Sequence, residues 1–141
     1  MQLDDLYRRV IMDHYKNPRN RGTMEAEAVT VNLNNPTCGD RIQLQLQVEG
    51  GIVTDAKFTG EGCSISMSSA SMMTEAVKGK TFDEAYNLAE KFSSLMKGEE
   101  VDFEENEDIE ALSGVNKFPA RIKCATLAWN ALRKGIEQQQ Q

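Results

Sequence analysis

Three cysteines and one aspartate are the residues in this 141-residue chain whose types and surroundings could do chemistry. Cys38 lies in Asn35-Pro36-Thr37-Cys38-Gly39-Asp40, Cys63 in Gly60-Glu61-Gly62-Cys63-Ser64, and Cys124 follows Pro119-Ala120-Arg121-Ile122-Lys123. The first stretch reads as a turn between strands, the second as a loop feeding a helix, and the third as the start of a final helix. Each thiol therefore stands at the end of an element, where loops converge without disturbing a core. A helix N-terminus, with its unpaired amides and positive dipole end, is a setting for reactive, metal-binding thiolates; Cys63 is so placed, and Cys124 more weakly. Arg41, Arg121 and Lys123 add positive charge if the three loops meet. Asp40, two residues after Cys38 across a permissive glycine, can present its carboxylate beside the thiol. Three sulfurs and one oxygen make the four donors that a tetrahedral zinc ion takes.

Other readings stand beside this one. Between Cys38 and Cys63 24 residues intervene, and between Cys63 and Cys124 60, which matches no compact zinc-finger spacing. A cysteine is also commonly a small buried hydrophobe. Gly39, Gly60, Gly62 and the neighbouring Asp40 favour a shared site over three separate core thiols. His14, the one histidine, is a rival fourth ligand, ranked below Asp40 because a lone histidine on a helix is ordinarily a surface or capping group. Three thiols cannot all pair within one chain, and in a reducing compartment such thiols serve more often as ligands or nucleophiles than as bridges.

The elements that must position these groups follow from the hydrophobic pattern. Leu3, Leu6, Tyr7, Val10, Ile11 and His14 or Tyr15 recur at helical spacing over residues 2 to 16, and Asn17-Pro18 ends that helix. Val29, Val31 and Leu33, then Ile42, Leu44, Leu46 and Val48, alternate with polar residues as half-buried strands. Gly50-Gly51 supplies a hairpin turn into a third strand with Ile52, Thr54, Ala56 and Phe58 expected on one face. From about 64 the period becomes 3.6, and the helix ends before Gly79, its methionines belonging to the core. Thr81 to Glu84 has the spacing of a capping box opening the next helix, which runs to Gly98. A short helix is expected near 106 to 113, and a last one from Pro119 to about Gly135, followed by a frayed tail over 137–141. A sheet followed by helices predicts an α+β domain, a three-stranded antiparallel sheet packed with about five helices, occupying residues 1–141 as a single unit.

Charge narrows the function classes. Sixteen basic residues face 22 acidic ones for a net charge of −6, but eight of the acids fall between Glu99 and Glu110 with no Lys or Arg among them. The rest of the chain carries 14 acids against 16 bases, and no basic stripe calls for nucleic acid. The run itself reads as a partner-docking surface or, more commonly for a charge run, a solvated face, anchored to the body by Val101, Phe103, Ile109 and Leu112. No stretch is long and apolar enough to span a membrane, and the N-terminus lacks a secretory pattern, so a cytoplasmic location is expected.

At these motifs the chain resembles the IscU/NifU-type scaffold family of iron-sulfur cluster assembly proteins, and within it the SufU-type branch. The resemblance is carried by Asp13-His14-Tyr15 with Asn17-Pro18-Arg19-Asn20, by the three cysteine motifs in order, and by Lys123 where IscU-type scaffolds carry a histidine. An added segment before the third cysteine, residues 99–118, also matches the SufU-type branch. The resemblance implies bound zinc and sulfur transfer from a SufS-type cysteine desulfurase, with Cys38, Asp40, Cys63 and Cys124 holding the metal.

Three functional readings follow. In the first, the protein is a zinc-dependent sulfurtransferase in which Cys38, on a glycine-containing turn, leaves the metal to accept persulfide sulfur. In the second, Cys38, Cys63 and Cys124 hold a transient iron-sulfur cluster that is passed to apo iron-sulfur proteins or other assembly proteins. In the third, the zinc is purely structural, which the carboxylate at Asp40 disfavours.

Overall fold

Alternation of apolar and polar residues builds a meander of three antiparallel strands, β1 (Val29–Asn35), β2 (Asp40–Glu49) and β3 (Ile52–Glu61), in the order β1-β2-β3. Among the described residues four α-helices accompany the sheet, α1 (Leu3–Lys16), α2 (Ser64–Val77), α3 (Phe82–Met96) and α4 (Pro119–Gln139), with a 3₁₀ helix over Glu107–Lys117. This computed structural model describes residues 3–24, 28–36, 39–103 and 106–139. The expected three-stranded sheet with five helices is therefore present. Among the described residues no helix is long and apolar enough to cross a membrane.

Ile42, Leu44 and Leu46 of β2 and Val53, Ala56 and Phe58 of β3 are buried, beneath α4 on the β1–β2 side and α2 on the β3 side. Residues 50 and 51 take φ of +59° and +78°, as a tight hairpin turn requires. The third strand departs from the expected face. Gln47 pairs with Asp55 and Val48 with Val53, so Thr54 is an extra residue, its hydroxyl donating to the Gln47 carbonyl at 3.1 Å. This bulge shifts the phase, buries Val53 and leaves Ile52 39% exposed. The outer edge of β3 is covered by chain: Gly22 N–H donates to the Phe58 carbonyl, Phe58 N–H to the Asn20 carbonyl, and Val53 N–H to the Lys80 carbonyl.

Helix α2 lies at the centre, buried on almost every side. Its Met67, Met72 and Met73 belong to the core as expected, but so do five hydroxyls, Ser66, Ser68, Ser69, Ser71 and Thr74, each with a partner. Ser69 Oγ donates to the Ala125 carbonyl at 2.6 Å and accepts from Trp129 Nε1 at 3.1 Å, tying α2 to α4. Trp129 in turn stacks on Phe92 of α3, centroids 4.9 Å apart. The capping box at α3 is complete: Thr81 accepts from Glu84 N–H, and Glu84 accepts from Thr81 N–H.

Two helices differ from expectation. The segment expected as a short helix near 106 to 113 is a longer 3₁₀ helix, because Ile109, Leu112 and Val115 are buried at a spacing of three, the period of that tighter winding. Helix α4 does not stop near Gly135 but continues to Gln139, so 137–139 are helical, not frayed; residues 140–141 lie outside the described residues. Gly135 is instead an approach point: a Cβ there would stand 3.0 Å from Leu46 Cδ1 and 3.4 Å from Val31 Cγ2. The missing side chain lets α4 lie close against the sheet.

Candidate metal centre

Three chain segments meet at one end of the sheet. Asp40 opens β2 opposite Asn35, the last residue of β1. Cys63 is the N-cap residue of α2, in extended conformation and with no side-chain capping bond. Cys124 lies in the second turn of α4. Asp40 and Cys124 are fully buried and Cys63 is half-buried, and one donor atom from each lies within 4.8 Å of the others. Sequence reasoning named these three residues as ligands, and the fold brings them together. Cys38, two residues before Asp40, lies outside the described residues.

A buried carboxylate is costly unless its lone pairs are met. Asp40 Oδ1 accepts from Cys63 N–H at 3.1 Å and from Ser66 Oγ at 3.2 Å, and Asn35 Nδ2 reaches Oδ2 at 3.4 Å. The same Asn35 amide stands 3.9 Å from Cys124 Sγ. Gly62 makes this approach feasible, since a Cβ there would collide with Ser66 Oγ and Asp40 Oδ1. Gly60 serves similarly, since a Cβ there would collide with the Arg41 carbonyl oxygen.

Of the three cations expected near the thiols, Arg121 responds to them. Negative charge on Cys63 and a hydrogen bond to Cys124 hold its guanidinium above the usual arginine range. Arg41 instead pairs with Glu61 at 3.2 Å on the exposed edge of the sheet, and Lys123 is exposed.

The donor set fits zinc. Donors at about 2.0–2.3 Å from a tetrahedral ion stand roughly 3.5 Å apart, so small side-chain rotations close the observed set. Two sulfurs and a carboxylate oxygen suit zinc's borderline softness and would not by themselves satisfy magnesium or calcium.

His14 belongs elsewhere. It is 3% exposed, not a surface or capping group, and is not among the clustered donors. Nδ1 lies 2.8 Å from Ser71 Oγ and Nε2 lies 2.8 Å from Asp108 Oδ2. With the proton on Nε2, the ring donates to Asp108 and accepts the Ser71 hydroxyl, whose oxygen accepts Arg19 N–H at 2.8 Å. One tautomer thus satisfies the whole chain of bonds. Although serine, histidine and aspartate are linked, Ser71 is completely buried, so the arrangement is a lock between elements and not a nucleophile. Sequence reasoning also missed Asn35 and Ser66, polar residues flanking the motifs whose only signal was their nearness to Cys38 and Cys63.

The model of the NifU-like N-terminal domain matches residues 6–141. The chain belongs to this family. It is 60% identical over 139 residues to the zinc-dependent sulfurtransferase SufU of Bacillus subtilis, covering 98% of this chain and 94% of that one. It is 47% identical to the iron-sulfur cluster assembly scaffold protein IscU of Streptococcus pyogenes, covering 96% and 86%. Among solved structures, an iron-sulfur cluster assembly scaffold protein for the SUF system from Fervidobacterium islandicum superposes with a TM-score of 0.84 at 30% identity, covering 96% and 99%. The likeness to this family drawn from the cysteine motifs is therefore correct, and so is the sheet-then-helices fold.

Proposed function

We propose that this protein is a zinc-dependent sulfurtransferase of iron-sulfur cluster biogenesis, accepting persulfide sulfur from a SufS-type cysteine desulfurase. The observation that carries this reading is the convergence of Cys63, Cys124 and Asp40 within 4.8 Å, in a chain 60% identical to a SufU. Cys38 is assigned as the third thiolate ligand and the acceptor. Bound zinc keeps cysteine ligands deprotonated and shields them from oxidation.

Cys124 is buried in α4 and Cys63 caps α2, whereas Cys38 stands in sequence beside Gly39, whose φ is +72°. In the transfer, the Cys38 thiolate attacks the terminal sulfur of the desulfurase persulfide. A bond forms between Cys38 Sγ and that sulfur, the partner's S–S bond breaks, and the partner cysteine leaves as a thiolate with the electron pair. No external oxidant or reductant is needed. Arg121 offsets negative charge that remains at the site, and the exposed Arg8 and Arg9 of α1 offer further contacts to the partner.

The second reading, a scaffold that assembles a cluster and passes it to apo-proteins, is favoured by the scaffold relatives. One experiment separates the two: metal content of aerobically purified protein, desulfurase stimulation by wild type and Cys38→Ala, and visible absorption after anaerobic reconstitution. Stoichiometric zinc with stimulation lost in Cys38→Ala supports sulfur transfer. Normal sulfur acceptance by Cys38→Ala overturns the acceptor assignment, and a stable cluster delivered to an apo-protein favours the scaffold.

A further inference from the structure

The two oxygens of Asp40 are held differently. Oδ1 accepts from the Cys63 amide at 3.1 Å and faces Ser66 Oγ at 3.2 Å, so protein donors engage both of its lone pairs. Oδ2 faces the Asn35 amide, at 3.4 Å, on the side where that amide also reaches Cys124 Sγ. Ser66 stands in the first turn of α2 and is 2% exposed. Its hydroxyl also lies 3.0 Å from the Cys63 carbonyl oxygen and 3.7 Å from Cys63 Sγ. One proton serves one acceptor best, and an ionised carboxylate is the strongest of the three.

We infer that Ser66 is a positioning residue of the metal centre. By occupying Oδ1 together with the Cys63 amide, it leaves Oδ2 as the oxygen presented to the metal and makes Asp40 a single-point ligand. This rests on the zinc reading given above. The consequence is chemical: a carboxylate that binds through both oxygens would raise the coordination number, whereas one fixed through Oδ1 keeps a four-donor set and a defined ligand direction. Gly62 belongs to the same device, because only a residue without a Cβ admits the Ser66 to Asp40 contact.

The test compares Ser66→Ala with Ser68→Ala and Asp40→Ala. Ser68 is an apt control, a fully buried serine on the same helix whose hydroxyl donates to the Ile65 carbonyl and which is not among the clustered donors of the described residues. Zinc affinity is read by competition with a chromogenic chelator, geometry by the visible bands of the cobalt(II)-substituted protein, and folding by thermal midpoints of the metal-free forms. Ser66→Ala is expected to weaken zinc binding about 10- to 100-fold and to dim the intense tetrahedral cobalt bands. Ser68→Ala keeps both, with a metal-free midpoint no higher than that of Ser66→Ala. Unchanged zinc affinity in Ser66→Ala, or equal losses in the two serine variants, overturns the positioning role. Retention of zinc affinity in Asp40→Ala sinks the ligand reading itself, a result distinct from either. If Ser66→Ala does not fold, infrared difference spectra of zinc-loaded and metal-free wild type still decide. A wide carboxylate stretch splitting means one-oxygen binding, and a narrow one refutes it.

Discussion

His14 Nε2 and Asp108 Oδ2 lie 2.8 Å apart, joining α1 to the acidic 3₁₀ segment across 94 residues of sequence. Asp108 is over half exposed while His14 is buried, so the contact is a peg driven from a charged surface strand of chain into the body. The acidic run is therefore not merely a solvated face: one of its carboxylates is structural. Removing the imidazole in His14→Ala leaves Ser71 and Asp108 without their shared partner. The expected cost is about 2 kcal/mol of stability by urea unfolding, with faster amide exchange over 107–117 and unchanged zinc content. Exchange at the wild-type rate in that segment would show that the apolar residues alone hold it.

Gly62→Ala places a methyl group against Ser66 Oγ and Asp40 Oδ1. Zinc affinity should fall by at least about tenfold while the far-ultraviolet circular dichroism stays native. A variant with wild-type zinc affinity would mean that the loop relaxes freely and that the close approach is dispensable.

Gly135→Val tests the packing of α4 on the sheet. Helix propensity alone would favour almost any side chain over glycine in a helix interior, yet the added atoms meet Leu46 and Val31. Overpacking should win, lowering stability by about 1–3 kcal/mol; a rise in thermal midpoint would refute the tight contact.

Acid sensitivity is expected at α3. The Thr81 amide and hydroxyl hold Glu84 below the usual carboxylate range, and Arg19 does the same for Asp13. Because both values are depressed in the folded chain, their contribution is complete above the unfolded values, near pH 4 to 4.5, and is lost as pH falls through the folded ones. Glu84→Gln should therefore flatten the stability profile on the acid side of that window, and Thr81→Ala should cost about 1 kcal/mol at neutral pH. An unaltered acid slope in Glu84→Gln would remove the capping carboxylate from the account.

Local rules carried most of the architecture into the sequence. Alternation exposed β2, paired glycines exposed the hairpin, and Thr81 with Glu84 exposed the start of α3. What escaped depended on partners distant in sequence. The bulge at Thr54 follows from pairing with Gln47, and Ile52 reads as a core residue until that pairing is known. Gly135 looks like a helix stop because the local pattern is silent about the sheet beneath it. His14 reads as a surface residue because its partners, Ser71 and Asp108, lie on other elements. At the candidate metal centre the clustered donors Asp40, Cys63 and Cys124 were legible from the cysteine contexts and the neighbouring aspartate. Ser66 was not, since a serine in a helix acquires meaning only from the carboxylate folded against it.

The stacking of Trp129 on Phe92 has a practical corollary. The chain contains one tryptophan, located five residues beyond Cys124 on the same helix and sealed within the interior by Ser69 and Phe92. Its fluorescence is consequently an unmixed signal from the junction of three helices, able to follow unfolding in real time and to distinguish a variant that loses its ion from one that loses its shape.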